Sequence, residues 1–149
     1  ILLPQDTSED AFAGVCPYHG NCFEGLASGP AIKARWQVNS ALDCPPDHPA
    51  WELEADYLAM AMMNYTLCYS PHAIVLGGGV MRADGLLEKV RPRLQQRLNG
   101  YVPALASLSM QHYLLSPQLD QDSGIVGACV LAERAALRNE DKEKMNESK

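Results

Sequence analysis

The sequence has no run of the ~18 apolar residues that a membrane-crossing helix needs, so a membrane is not an expected partner. Positive charge is scarce as well: 12 Lys and Arg stand against 18 Asp and Glu, a formal net charge of −6. Gripping a phosphate backbone takes clustered Lys and Arg, so nucleic acid is not an expected partner either. The opening ILLPQDTSED lacks a basic stretch and a small-residue cleavage pattern, so it does not read as a secretory leader. The first residue is Ile and not Met, which reads as a truncated or processed chain. Internal repeats and low-complexity linkers are missing. The five cysteines (Cys16, Cys22, Cys44, Cys68, Cys129) are odd in number and scattered, unlike a secreted disulfide framework. A reducing, cytoplasmic location fits them. Cys68 and Cys129 lie in apolar helical surroundings, where a free thiol is expected to pack as a small hydrophobe.

What remains is an ordinary globular composition. The chain has 149 residues, 47% hydrophobic and 20% charged, enough for one domain with its own core. Residues 1–21 are rich in Pro, Gly and polar residues and read as loop. A helix is expected from about Glu24 to Gln37, broken or kinked at Gly29-Pro30. CPPDHP, 44–49, reads as a rigid loop. Trp51, Ala55, Leu58, Met62 and Tyr65 recur at helical spacing, which predicts a helix from about Ala50 to Tyr69, ended by Ser70-Pro71. Its second half, LAMAMMNY, is apolar on nearly every side, so the helix should be buried. Ala73–Leu76 reads as a short buried strand.

A helix with the stripe Leu87, Val90, Leu94 and Leu98 is expected from about Ala83 to Leu98, with Pro92 kinking or breaking it. Met110–Leu115 reads as a second strand, and Ser123 as the cap of a last helix over about Gly124–Arg138. The segment 139–149, NEDKEKMNESK, mixes charges without apolar periodicity and reads as a solvated, frayed tail. The sum is a helix-rich α/β domain with too few strands for a complete sheet.

Two short stretches carry chemistry. In CPYHGNC, Cys16, His19 and Cys22 follow one another three residues apart, with Pro17 and Gly20 to turn the chain between them. Two thiolates and an imidazole are zinc ligands, and ligands two residues apart can reach one ion from a tight turn. A disulfide, inert thiols and a surface histidine are the other readings of the same residues. Only three ligands are visible, which means either an open coordination position or an incomplete structural site. In IVLGGGVM, Gly77, Gly78 and Gly79 join a strand to a helix start, where bare backbone amides can meet an anion. No Lys-Ser/Thr follows, so it is not a Walker A loop, and a tight turn without ligand explains it equally well. Asp43, Asp47 and Asp56 lie in or beside the Pro-rich loop and helix and read as solvated or capping residues.

Together GVCPYHGNCFEGLASGPAIKARW (14–36), PDHPAWELEADYLAMAMMNYTLCYSP (46–71), HAIVLGGGVM (72–81) and SGIVGACVLA (123–132) resemble the ROK family of sugar kinases, in its bacterial fructokinase branch. The pieces keep the family's order and cover most of the chain. The resemblance implies the C-terminal lobe of an actin-like, ribonuclease-H-like ATPase fold over residues 1–138, followed by the tail 139–149. It implies transfer of the γ-phosphoryl group of ATP, with Mg²⁺, to a hexose, with fructose as the expected sugar, in a cytoplasmic homodimer. It assigns Cys16, His19 and Cys22 to a structural zinc near the sugar pocket and dimer contact, and Glu24 to sugar hydroxyls. It assigns Pro30 and the run Gly77, Gly78, Gly79, Val80 and Met81 to ATP.

Three departures accompany it. The family's fourth zinc ligand, a His nine residues before the first Cys, is Thr7 here, although Asp10, Phe12 and Gly14 keep the pattern. The family's Leu-Gly-Asp-Asn-Ala-Gly-like run is Leu119-Asp120-Gln121-Asp122-Ser123-Gly124. The phosphate-binding loop, the sugar-binding Asn-Asp segment and the general-base Asp of the N-terminal lobe have no counterpart, so no catalytic residue is assigned in this chain and the chain alone is expected to be inactive. The sugar-sensing lobe of a ROK-type repressor and a non-functional fragment are the competing readings.

Overall fold

The computed structural model describes residues 1–119 and 122–147, with side chains described through 138. Asp120 and Gln121, which carry part of the departure in the C-terminal run, lie outside the described residues, as do the last two residues of the tail.

The Gly-Pro break falls where the sequence puts it. Helix α1 is Phe23–Ala27, and Ser28 turns extended to cap α2, Gly29–Trp36, its hydroxyl accepting from the Ala31 N–H. Pro30 sits in the first turn of α2, where its missing N–H costs nothing. The Pro-rich loop leads into α3, Pro49–Tyr69, with His48 as its cap. Trp51 anchors that loop: its buried indole N–H donates to the Pro45 carbonyl at 3.0 Å and the Cys44 carbonyl at 3.3 Å. The Pro45 carbonyl also accepts from the His48 N–H at 2.9 Å, so the indole and the backbone together fix the loop against the helix start.

As its composition predicts, α3 is buried through Leu58, Ala59, Met60, Ala61 and Met62. Helix α4, Leu86–Leu98, packs along it with the stripe Leu87, Val90, Leu94 and Leu98 buried, joined by Leu86. It starts three residues later than expected, after Gly85 in a left-handed conformation (φ 74°), and it runs through Pro92 without interruption. On the outer edge of the pair, Glu52 meets Lys89 and Arg93, and Asp56 meets Arg97 at 3.2 Å. Asp56 is thus ion-paired and half-buried rather than freely solvated, while Asp43 caps the 3₁₀ turn Ala41–Asp43 by accepting from the Ser40 N–H.

Three expectations are corrected. Met110–Leu115 is not a strand throughout: Ser109 accepts from the Gln111 N–H and starts a one-turn helix, and only the last two residues stay extended. With α5, Pro103–Ala106, and α6, Met110–Tyr113, two short helices thus precede β2, Leu114–Leu115. Strand β1 is only Ile74–Val75, and it pairs in parallel with β2 in the register Ile74↔Leu114, Val75↔Leu115. Cys68 is exposed, because the last turn of α3 leaves the core together with Leu67 and Tyr69; Cys129 is exposed too.

The chain divides into two units, Ile1–Ser116 and Pro117–Lys149. The first holds the core of α1–α4, α6 and β2. The second contains α7, Ser123–Glu147, whose backbone stays helical past the expected end at Arg138. Among the described residues no helix is long and apolar enough to cross a membrane.

Candidate metal centre and its surroundings

The stretch from Gly14 to Gly25 is built on close backbone contact. Cys16 and Gly20 exchange hydrogen bonds, N–H to carbonyl, at 3.2 and 2.9 Å, closing a tight hairpin through Pro17, Tyr18 and His19. The Val15 N–H donates to the Gly25 carbonyl at 3.0 Å, so the hairpin lies on α1. The Gly20 carbonyl is wedged between two other glycines. A Cβ on Gly25 would lie 1.8 Å from its oxygen, and one on Gly14, which is also at φ 82°, would lie 2.1 Å from it. Three bare backbones stacked this closely explain why the motif spends glycine at 14, 20 and 25.

That packing brings Cys16, His19 and Cys22 to one point, with Cys22 buried and His19 exposed. Their ligand atoms all lie within 4.8 Å of one another, and the Cys16 Sγ is 3.8 Å from the His19 Nδ1. Zinc bonds of about 2.3 Å to sulfur and 2.0 Å to nitrogen, set tetrahedrally, place such atoms roughly 3.5–3.8 Å apart. The donor set therefore fits zinc with a contraction of about an ångström. The thiols are free rather than paired. Backbone N–H groups of Tyr18 and then His19, donating to the sulfur, hold the Cys16 thiol down to about 7, so its metal-binding thiolate forms near neutral pH. Among the described residues these three are the one Cys, His, Asp or Glu group with ligand atoms so gathered. Thr7 is exposed and borders a surface groove with Gln5, Asp10, Tyr57 and Arg97.

The other sequence-assigned residues lie on three further segments. Glu24 is exposed in the first turn of α1, two residues after Cys22. Pro30 is exposed at the start of α2. Gly77, Gly78 and Gly79 are exposed, with open space where a Cβ would stand on Gly78 or Gly79. Val80 and Met81 are half-buried and belong to a 3₁₀ turn, Val80–Arg82. The expected helix start after the glycines is therefore corrected: α4 begins only at Leu86, and no α-helix N-terminus backs the triglycine turn. The structure nonetheless brings the two segments together, since a Cβ on Gly29 would sit 3.9 Å from Val80 Cγ2.

Sequence reading missed a buried polar cluster behind the metal turn. Asp10 accepts at Oδ2 from the Tyr57 hydroxyl at 2.6 Å and from Arg35 Nη2 at 3.1 Å. Arg35 also donates from Nη1 to the Leu26 carbonyl at 3.0 Å and lies 4.4 Å from the centre of the Phe12 ring. Both charged side chains are 8% exposed. Burial, then the adjacent Asp10 carboxylate, pushes the Tyr57 hydroxyl far above its usual range, so it stays a donor. Glu54, one turn before Leu58 on α3, is 1% exposed and neither carboxylate oxygen has a hydrogen-bond partner. Burial pushes it up to about 8, partly opposed by Arg35. Asp10, Arg35 and Tyr57 lie too far apart in sequence for any periodicity to link them. The signal on offer was Asp10 itself, a retained position of the resemblance whose neighbours could not be guessed.

These features define a helix-rich α/β domain with a Cys-His-Cys cluster, a candidate metal site, leading into its first helix. The sequence matches the ROK family over residues 4–135, and the chain belongs to that family. It is 41% identical to a fructokinase of Pediococcus pentosaceus over 132 residues, 87% of this chain and 43% of the relative. It is 38% identical to a fructokinase of Zymomonas mobilis over 122 residues, 81% of this chain and 40% of the relative. It is 35% identical to a fructokinase of Streptococcus mutans over 128 residues, 85% of this chain and 42% of the relative. The chain thus spans about two fifths of the length of the relatives it matches.

Proposed function

We propose that this chain is the C-terminal lobe of an actin-like ROK sugar kinase that phosphorylates fructose to fructose 6-phosphate with ATP. The observation that carries the reading is the 35–41% identity to three fructokinases, each across more than four fifths of this chain. On that reading the lobe covers residues 1–138, and the protein works in the cytoplasm as a homodimer.

Phosphoryl transfer is mostly positioning and charge stabilisation. Cys16, His19 and Cys22 would hold zinc, which when bound cross-links the turn and needs no redox or Lewis-acid role. The exposed Glu24 carboxylate, fixed two residues past Cys22, is an acceptor for sugar hydroxyls. Pro30 and the bare backbone of Gly77–Gly79, with Val80 and Met81, offer a surface that ATP can approach closely. Mg²⁺ would enter with ATP and neutralise charge on its phosphates. No general base for the acceptor hydroxyl is assigned here.

A coupled assay with ATP, Mg²⁺ and a panel of hexoses tests the reading. A longer protein containing this lobe should show kcat/KM for fructose at least about tenfold above glucose and mannose, a difference of ~1.4 kcal/mol in transition-state binding. The 149-residue chain alone should give no turnover. Preference for another hexose, or turnover by the chain alone, would contradict the reading.

A further inference from the structure

The cluster around Asp10 and the metal turn meet through one side chain. The Gln5 carboxamide donates from Nε2 to the Phe12 carbonyl at 2.7 Å and to the Asp10 carbonyl at 2.9 Å. Two carbonyl acceptors on that side fix the amide orientation, because a flipped amide would set oxygen against oxygen. Oε1 is thereby aimed at the turn, where it accepts from Asn21 Nδ2 at 3.0 Å. Asn21 stands between Gly20, which closes the hairpin, and Cys22, a metal ligand. At the other end, Asp10 is locked to α2 by Arg35 and to α3 by Tyr57.

We propose that Gln5 is a positioning residue for the metal turn: its carboxamide couples Asn21, and so Cys22, to the segment anchored by Asp10, Arg35 and Tyr57. The proposal rests on the metal reading of Cys16, His19 and Cys22. Groups that orient a ligand are part of a metal site's affinity, because an ion binds most tightly where ligands need not be rearranged. This link has a property that separates it from general packing. Asn21 is exposed, so truncating it removes this one directed contact and almost no core, whereas truncating Gln5 also removes its bonds to the Phe12 and Asp10 carbonyls. A hydrogen bond of this kind contributes about 1 kcal/mol, or roughly a fivefold change in an equilibrium constant.

The test is chelator competition for zinc on the 149-residue chain and its Gln5→Ala and Asn21→Ala variants, with thermal midpoints of the metal-free proteins measured in parallel. The expected result is one zinc per wild-type chain, held about fivefold more weakly by each variant. The metal-free Asn21→Ala midpoint should stay within about 2 °C of wild type, while Gln5→Ala, which also loses its two carbonyl contacts, should fall further. Variants that hold zinc as tightly as wild type would overturn the proposal and leave the metal reading standing. A metal-free Asn21→Ala midpoint that falls in step with its zinc affinity would overturn it too, by making the Gln5–Asn21 contact a general stabiliser. A wild-type chain that holds no zinc would overturn the metal reading and the proposal with it.

Discussion

Replacing Gly25 with Ala should destroy the metal turn. In an ordinary helix the exchange favours Ala by up to ~1 kcal/mol. Here the new Cβ would lie 1.8 Å from the Gly20 carbonyl oxygen, 2.9 Å from its carbon and 3.0 Å from the Cys16 Cβ. The first two are backbone atoms of the hairpin, which cannot swing aside as a flexible side chain can. Gly20 is itself tied to Cys16 through both its N–H and its carbonyl, so relief requires opening the hairpin. Overpacking of this severity costs about 3 kcal/mol or more. The expected outcome is a lower urea midpoint together with loss of bound zinc. Gly127→Ala in α7 is the control: nothing lies within 4 Å of its Cβ position, so stability should be unchanged or slightly higher. A Gly25→Ala protein with wild-type stability and zinc content would show that the stacked-glycine geometry is wrong.

The second large effect is a fall in stability with rising pH, centred on Glu54. Its carboxyl is raised from an ordinary 4.5 to about 8, chiefly by burial. The folded chain therefore keeps a proton that the unfolded chain releases, and folding loses free energy as pH climbs from 4.5 toward 8. Below that window the contribution is fully present; above about 8 the loss is complete. The Cys16 thiol, held near 7, has the opposite sign between about 7 and 9, and the lowered Asp6 and Glu52 act in more acidic solution. Between pH 5 and 7 Glu54 acts alone among these shifted groups. At ~1.4 kcal/mol per unit, the metal-free chain should lose about 2–3 kcal/mol over that interval. Urea midpoints measured across it should fall for wild type and stay level for Glu54→Gln, which keeps the shape and cannot ionise. Equal slopes in the two proteins would mean that Glu54 is not the group responsible.

Much of the frame was legible because it rests on local rules. Gly29-Pro30 announced a break in the first helical stretch, the Leu87–Leu98 stripe announced the face of α4, and the apolar LAMAMMNY run announced a buried helix. The gathering of Cys16, His19 and Cys22 was legible because they come from seven consecutive residues. What escaped was decided by partners distant in sequence or by competing local caps. Ser109 converts most of an apparent strand into a helical turn. The triglycine runs into a 3₁₀ turn, and α4 starts only after Gly85. Asp10 was legible only as a position that keeps the family pattern, because Tyr57 and Arg35, which close on it, are distant in sequence. Cys68 shared the apolar spacing of α3, yet the helix outlasts the core that covers it.

Zinc held by Cys16, His19 and Cys22, in the turn that leads into α1, is the proposal on which the rest depends. Metal analysis of the purified wild-type chain beside Cys16→Ser tests it most directly. One zinc per wild-type chain, with the variant reduced to a small fraction of that, is the expected result. Equal, near-zero zinc in both proteins would contradict it.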